Sequence, residues 1–92
     1  MNIDARVCER IAPELVEAFR RDGAVCVRQL LSSDEVALLR EGIDANLANP
    51  SPRAKVASRP GDPGFFIEDF CNWQHNAAYR RVIFDSPLAA LA

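Results

Sequence analysis

Histidine is almost absent from this sequence: His75 is the only one in 92 residues. A metal centre that needs two imidazoles is therefore beyond the chain's own means, and position 77, where the carboxylate of an H-x-D pair would stand, is Ala77. Cys8, Cys26 and Cys71 are odd in number, far apart and free of C-x-x-C spacing, which argues against a disulfide framework and against a zinc site. Positive charge is not in excess, with 11 Lys and Arg against 13 Asp and Glu; a nucleic-acid partner would need clustered cations. No apolar run approaches the ~20 residues of a membrane span. Asp4, Arg6, Glu9 and Arg10 break up the region where a secretory leader would carry its hydrophobic stretch, so the expected location is cytoplasmic, with no membrane and no nucleic-acid partner.

What is present is the composition of a chain that folds, 49% hydrophobic and 26% charged. At this length it amounts to one small domain at most, too small to enclose a deep active site. Residues 1–12 mix charge and apolar positions and are expected to be an arm or a short helix. Residues 13–48 predict helix, strand, helix. Pro13 opens a segment with Leu15, Ala18 and Phe19 on one face, and Gly23 stands where a left-handed C-terminal cap would fall. Ala24–Arg28 then reads as a buried strand in which Cys26 serves as a small core residue. Ser32 and Glu35 form an S-x-x-E capping box that starts a helix bearing Val36, Leu39, Ile43 and Leu47 on one stripe.

Residues 49–64 hold four of the six prolines and two glycines, and no apolar period, which predicts a long loop. Residues 65–92 predict a strand at Phe65–Phe70, a helix capped by Asn76 and a second helix start at Ser86 and Pro87. That last start has only Leu88–Ala92 to extend into. One turn is far below the ~12 residues at which isolated helices become marginal, so the chain is expected to be a piece of a longer element order.

Candidate chemistry is sparse. Arg53, Lys55 and Arg59 form a small cationic stretch of the kind that meets phosphate or carboxylate, and that is also common on solvated loops. Gly61 and Gly64 flank Asp62 and Pro63 as a turn and not as a phosphate-binding loop. Cys71 and His75 are four apart, yet the sequence offers no third group to orient a thiol and base pair. Phe65, Phe66, Phe70 and Trp73 read as core, or else as the wall of a ligand pocket.

Two stretches in order, FRRDGAVCVRQLLSSDEVALL from Phe19 to Leu39 and FFIEDFCNWQHNAAYRRVIFDSPLAALA from Phe65 to Ala92, together resemble the phytanoyl-CoA dioxygenase family. The resemblance implies an α+β fold: the N-terminal helices and first strands of a double-stranded β-helix (jelly-roll) oxygenase, with the barrel incomplete. It also implies that the complete domain uses Fe(II), 2-oxoglutarate and O2 to hydroxylate a small-molecule substrate. The family's iron ligands and 2-oxoglutarate anchor would fall after this chain, so no catalytic, cofactor or metal residue carries over to it. Phe66, Asp69 and Trp73 match the family's aromatic-acid segment and are the candidates for the substrate side. The alternative is a stand-alone, non-catalytic α+β interaction module. In either case self-association is expected through apolar faces left uncovered.

The capping box gives the first test. Ser32→Ala should lower stability by ~1 kcal/mol, the usual loss for an N-cap, read as a shift of the urea midpoint; an unmoved midpoint would refute that helix start.

Overall fold

The fold is a computed structural model that describes residues 3–92. Its elements run α1 (Ile3–Arg10), α2 (Pro13–Asp22), α3 (Ser33–Ala48), β1 (Lys55–Val56), β2 (Ile67–Glu68), a single 3-10 turn (Trp73–His75), α4 (Ala77–Asp85) and α5 (Leu88–Leu91). Met1 and Asn2 of the expected arm lie outside the described residues; the rest of its first ten form α1.

Helix boundaries follow local chemistry. Ser32 Oγ accepts the Glu35 amide at 3.2 Å, while the Glu35 carboxylate accepts the Ser32 amide at 2.8 Å, satisfying two otherwise orphaned donors of α3. Gly23 takes φ +78°, and its amide closes α2 onto the Phe19 carbonyl, a left-handed cap that a residue with a Cβ adopts only under strain. Asn76 caps α4 by accepting the Tyr79 amide at 3.1 Å. At α5 the Ser86 hydroxyl accepts the Leu88 amide at 3.4 Å, and Pro87, at φ −75° and ψ 1°, is the N-cap.

The centre of the fold is the crossing of α3 over α4. Two small residues permit it: Gly42 is buried, and a Cβ placed there would lie 2.7 Å from the Tyr79 ring and 3.2 Å from the Ala78 Cβ. The Asn76 amide then donates to the Gly42 carbonyl at 2.9 Å, tying the cap of α4 to the middle of α3. α4 also packs on α5, and α5 on α1, so that Ala78, Val82, Ser86 and Pro87 form the most deeply buried row in the chain. On the other side Leu30, 6% exposed, is the buried residue ahead of α3. Arg6 of α1 donates to the Leu30 carbonyl at 2.7 Å and pairs through both terminal nitrogens with Glu35.

Three expectations need correction. Ala24–Arg28 is not a buried strand: it pairs with no neighbour among the described residues, and Cys26 is exposed. β-branched and apolar content favours extension, but a strand exists only against a partner ladder. Gln29, at φ +57°, instead turns the chain toward α3. The stretch 49–64 is not wholly a loop, because Lys55 and Val56 pair antiparallel with Glu68 and Ile67. The strand expected over Phe65–Phe70 shrinks to its two central residues. A ladder this short has no apolar alternation to announce it, and its extra support is a further bond from the Ala57 amide to the Phe66 carbonyl at 2.8 Å.

The chain is open for its size. Its radius of gyration is 16.6 Å, against ~12 Å for a compact domain of this length. Its accessible surface is 7211 Å², against about 5,300 Å² expected for a folded monomer of this mass. The difference lies in apolar side chains: Phe65, Phe66, Phe70, Phe19, Phe84, Ile43 and Leu47 all stand about half exposed or more.

The Arg6 ion pair sets a pH dependence. Hydrogen bonding from Arg6, with help from Ser32, holds the Glu35 carboxyl at about 2, below its ordinary value of 4.5. A depressed carboxyl stabilises the fold fully above its unfolded pKa and loses that contribution as pH falls through the folded one. Stability should therefore drop between pH 4.5 and 2, and Arg6→Ala should flatten this drop while lowering stability at pH 7. Urea midpoints at pH 7 and pH 3 check it; an equal drop in both proteins would remove Glu35 from the account.

Candidate functional site

The three residues singled out for the substrate side sit on the return limb from β2 into the 3-10 turn. Asp69 is half-buried and already engaged: its carboxylate accepts the Ser51 amide at 2.8 Å and the Ser51 hydroxyl. These bonds, joined by the nearby charge of Arg53, hold the carboxyl below its ordinary value. Arg53 clamps the same junction by donating Nε to the Phe70 carbonyl at 3.2 Å and Nη2 to the Cys71 carbonyl. The clamp accompanies a left-handed Cys71, φ +56°, a conformation unusual for a residue with a side chain.

Trp73 takes part in a separate cluster. Its ring meets Phe84 edge to face at 5.7 Å and 63°, and the Arg80 guanidinium lies 5.7 Å from the Trp73 ring and 5.1 Å from the Phe84 ring. Such contacts are favourable for the ring quadrupoles. Phe66 is 59% exposed, and its backbone amide donates to Ser58 Oγ at 3.1 Å. Each of the three candidates thus has its own partners: Asp69 a latch, Trp73 a stack, Phe66 a ladder position.

Within the cationic stretch Arg53 is spent on the carbonyls of Phe70 and Cys71, while Lys55 stands opposite Glu68 in the ladder register. No hydrogen bond joins Cys71 to His75 among the described residues. Among them, too, no three His, Cys, Asp or Glu side chains converge.

A cleft of about 720 Å³ opens between the end of α3 and the start of α4, where Asn46, Asn49, Asn72, His75 and Asn76 stand beside apolar Ala45, Pro50, Pro52, Ala77 and Ala78. Asn72 donates to the Asn46 side chain at 2.9 Å, and Asn46 in turn donates to the Tyr79 hydroxyl at 3.5 Å. Sequence reasoning missed Asn46 and Asn72. The one local signal was an amide set within the helical run of α3; the partner lies 26 residues on, and no spacing rule reaches that far.

No helix among the described residues is long and apolar enough to cross a membrane. No family model and no solved structure matches the chain. Among curated proteins it is similar to the ectoine dioxygenase of Stutzerimonas stutzeri (strain A1501), 36% identical over 84 residues that make up 89% of this chain and 28% of that protein. The chain thus spans little more than a quarter of the length of the relative it matches. The similarity relates it, at a coarse level, to an oxidoreductase of the dioxygenase kind.

The Ser51–Asp69 latch yields a prediction. Asp69→Asn, which keeps one acceptor oxygen and loses the charge, should speed amide hydrogen exchange at Ser51 and across Lys55–Val56 and Ile67–Glu68, with α3 and α4 unaffected. Unchanged exchange at Ser51 would show that the latch does not hold the ladder.

Proposed function

We propose that this chain is the N-terminal part of a cytoplasmic Fe(II)/2-oxoglutarate-dependent dioxygenase that hydroxylates a small molecule. The observation that carries the reading is the alignment of 89% of the chain with a dioxygenase at 36% identity. It agrees with the two stretches that resemble the phytanoyl-CoA dioxygenase family. In this reading the described helices and the two-stranded ladder flank a jelly-roll contributed by the remaining polypeptide, which also supplies the iron ligands and the 2-oxoglutarate anchor. The oxidising chemistry would come from the iron and its cosubstrate.

This chain's own contribution is a scaffold. The Ser51–Asp69 latch and the Arg53 clamp fix the path of residues 69–71, and the Trp73–Arg80–Phe84 stack holds the following turn. Both would present Phe66 and Phe70 as an apolar wall on the substrate side. The half-exposed faces of Val36, Ile43 and Leu47 on α3 and of the Phe65–Phe70 segment suit packing against a larger domain.

Succinate formation from 2-oxoglutarate with Fe(II) is the test. The 92-residue chain should bind no stoichiometric iron and form no succinate, while the same chain extended by the reading frame beyond Ala92 should do both. Iron-dependent turnover by the short chain equal to that of the long one would overturn the division of labour. A compact, inactive monomer whose reading frame stops at Ala92 would favour a stand-alone interaction module.

A further inference from the structure

α2 is the one helix that packs against no other element among the described residues, yet it is amphipathic. Leu15, Ala18 and Phe19 fall on one stripe at helical spacing, which Asp22 ends, and Phe19 is 55% exposed. The stripe borders an open apolar groove of about 540 Å³ whose other wall includes Val25, Val27 and Leu91.

Area indicates the size of what is missing. The chain exposes about 1,900 Å² more than a compact monomer of its mass, whereas one side of a stable protein interface buries about 800 Å². A second copy bound over α2 and its groove would use somewhat less than half of that excess.

Charge indicates which occupant fits. At ~100° per residue, Glu14 and Arg21 lie on the same flank of the stripe, one at each end of the helix. When two such helices meet antiparallel, each flank faces the same flank of its partner, with position 14 opposite position 21. Two Glu14–Arg21 pairs then close across the two-fold axis. A parallel pair would instead bring that flank against the opposite one, which bears Ala12 and Val16 and no charge, so neither ion pair would form. In the single chain Glu14 makes no ion pair among the described residues, and Arg21 is held only by its exposed neighbour Asp22, a contact of small worth that is free to exchange.

We infer that α2 is a self-association surface: two copies of this chain pair α2 against α2, antiparallel about a two-fold axis, with the Phe19 of each entering the groove of the other. Apolar contact supplies the affinity, and the Glu14–Arg21 pairs set the direction. The inference does not rest on the oxygenase reading, which concerns the faces of α3 and of the Phe65–Phe70 segment.

Sedimentation equilibrium on the 92-residue chain decides it. The expected result is a monomer–dimer equilibrium that Phe19→Ala weakens. Glu14→Arg and Arg21→Glu, each of which creates two like-charge contacts per dimer, should each weaken it by about tenfold, and the double swap Glu14→Arg/Arg21→Glu should restore it. All three charge variants alter exposed positions, and far-UV circular dichroism verifies that they keep the wild-type helix content; they decide the matter if Phe19→Ala fails to fold. A monomer at all concentrations, open-ended aggregation, or a dimer indifferent to the charge variants overturns the proposal, as does a double swap that restores nothing. Succinate formation is measured separately, so the loss of one reading leaves the other standing.

Discussion

The approach of α3 to α4 at Gly42 is the constraint on which the rest of the structure depends. A glycine inside a helix costs about 1 kcal/mol against alanine, and α3 accepts that cost because the Tyr79 ring occupies the space a Cβ would need. The close crossing lets the Asn76 side chain reach the Gly42 carbonyl while it also caps α4. α4 is thereby fixed in position and in starting point by one residue. Everything C-terminal to it inherits that placement: the Arg80 and Phe84 stack on Trp73, and the turn through buried Ser86 and Pro87 that sends α5 back onto α1.

A second fixed point, at the other end of α3, works by charge. Glu35 serves two masters, the cap of its own helix and the guanidinium of Arg6. Arg6 also holds the carbonyl of Leu30, so one arginine joins α1, the buried residue ahead of α3 and the first turn of α3. The pair is partly exposed, at 22% and 15% for the two side chains, which avoids the heavy desolvation that full burial would impose. Two contacts, one steric and one ionic, thus position three of the five helices, while α2 is left to the turn at Gly23 and the loop after it.

What was legible in the sequence was what a residue's near neighbours decide. The capping box at Ser32, the left-handed glycine after α2 and the Asn76 cap are each written within four residues, and each is found in place. What was not legible depends on partners far along the chain. Ala24–Arg28 has strand-like content and no ladder to join, so it stays irregular. Lys55 and Val56 lack strand-like surroundings and pair nonetheless, because Ser51 reaches Asp69 eighteen residues later and brings the limbs together. Asp69 was singled out for the acid in an aromatic segment; its acidity is used to fasten a loop. The cleft beside it draws its polar groups from amides such as Asn46 and Asn72, the residue type least marked by spacing, and it escaped notice for that reason.

The exposed apolar surface links this architecture to function. Among the described residues, Leu30, Ala78 and Val82 are the buried apolar side chains outside the Ser86–Pro87 turn, a small core against the cost of ordering a chain of this length. In the proposed readings the half-exposed aromatics and aliphatics recover free energy against a further surface. They are not spread evenly. In the proposed reading, those of α3 and of the Phe65–Phe70 segment are the faces that a larger catalytic domain would cover. Those of α2 border a groove whose far wall includes Val25, Val27 and Leu91, and they are flanked by charges that complement their own two-fold image. One chain thereby carries two unsatisfied surfaces of different character, one suited to the continuation of a domain and one to a second copy of itself, and covering either leaves the other still exposed.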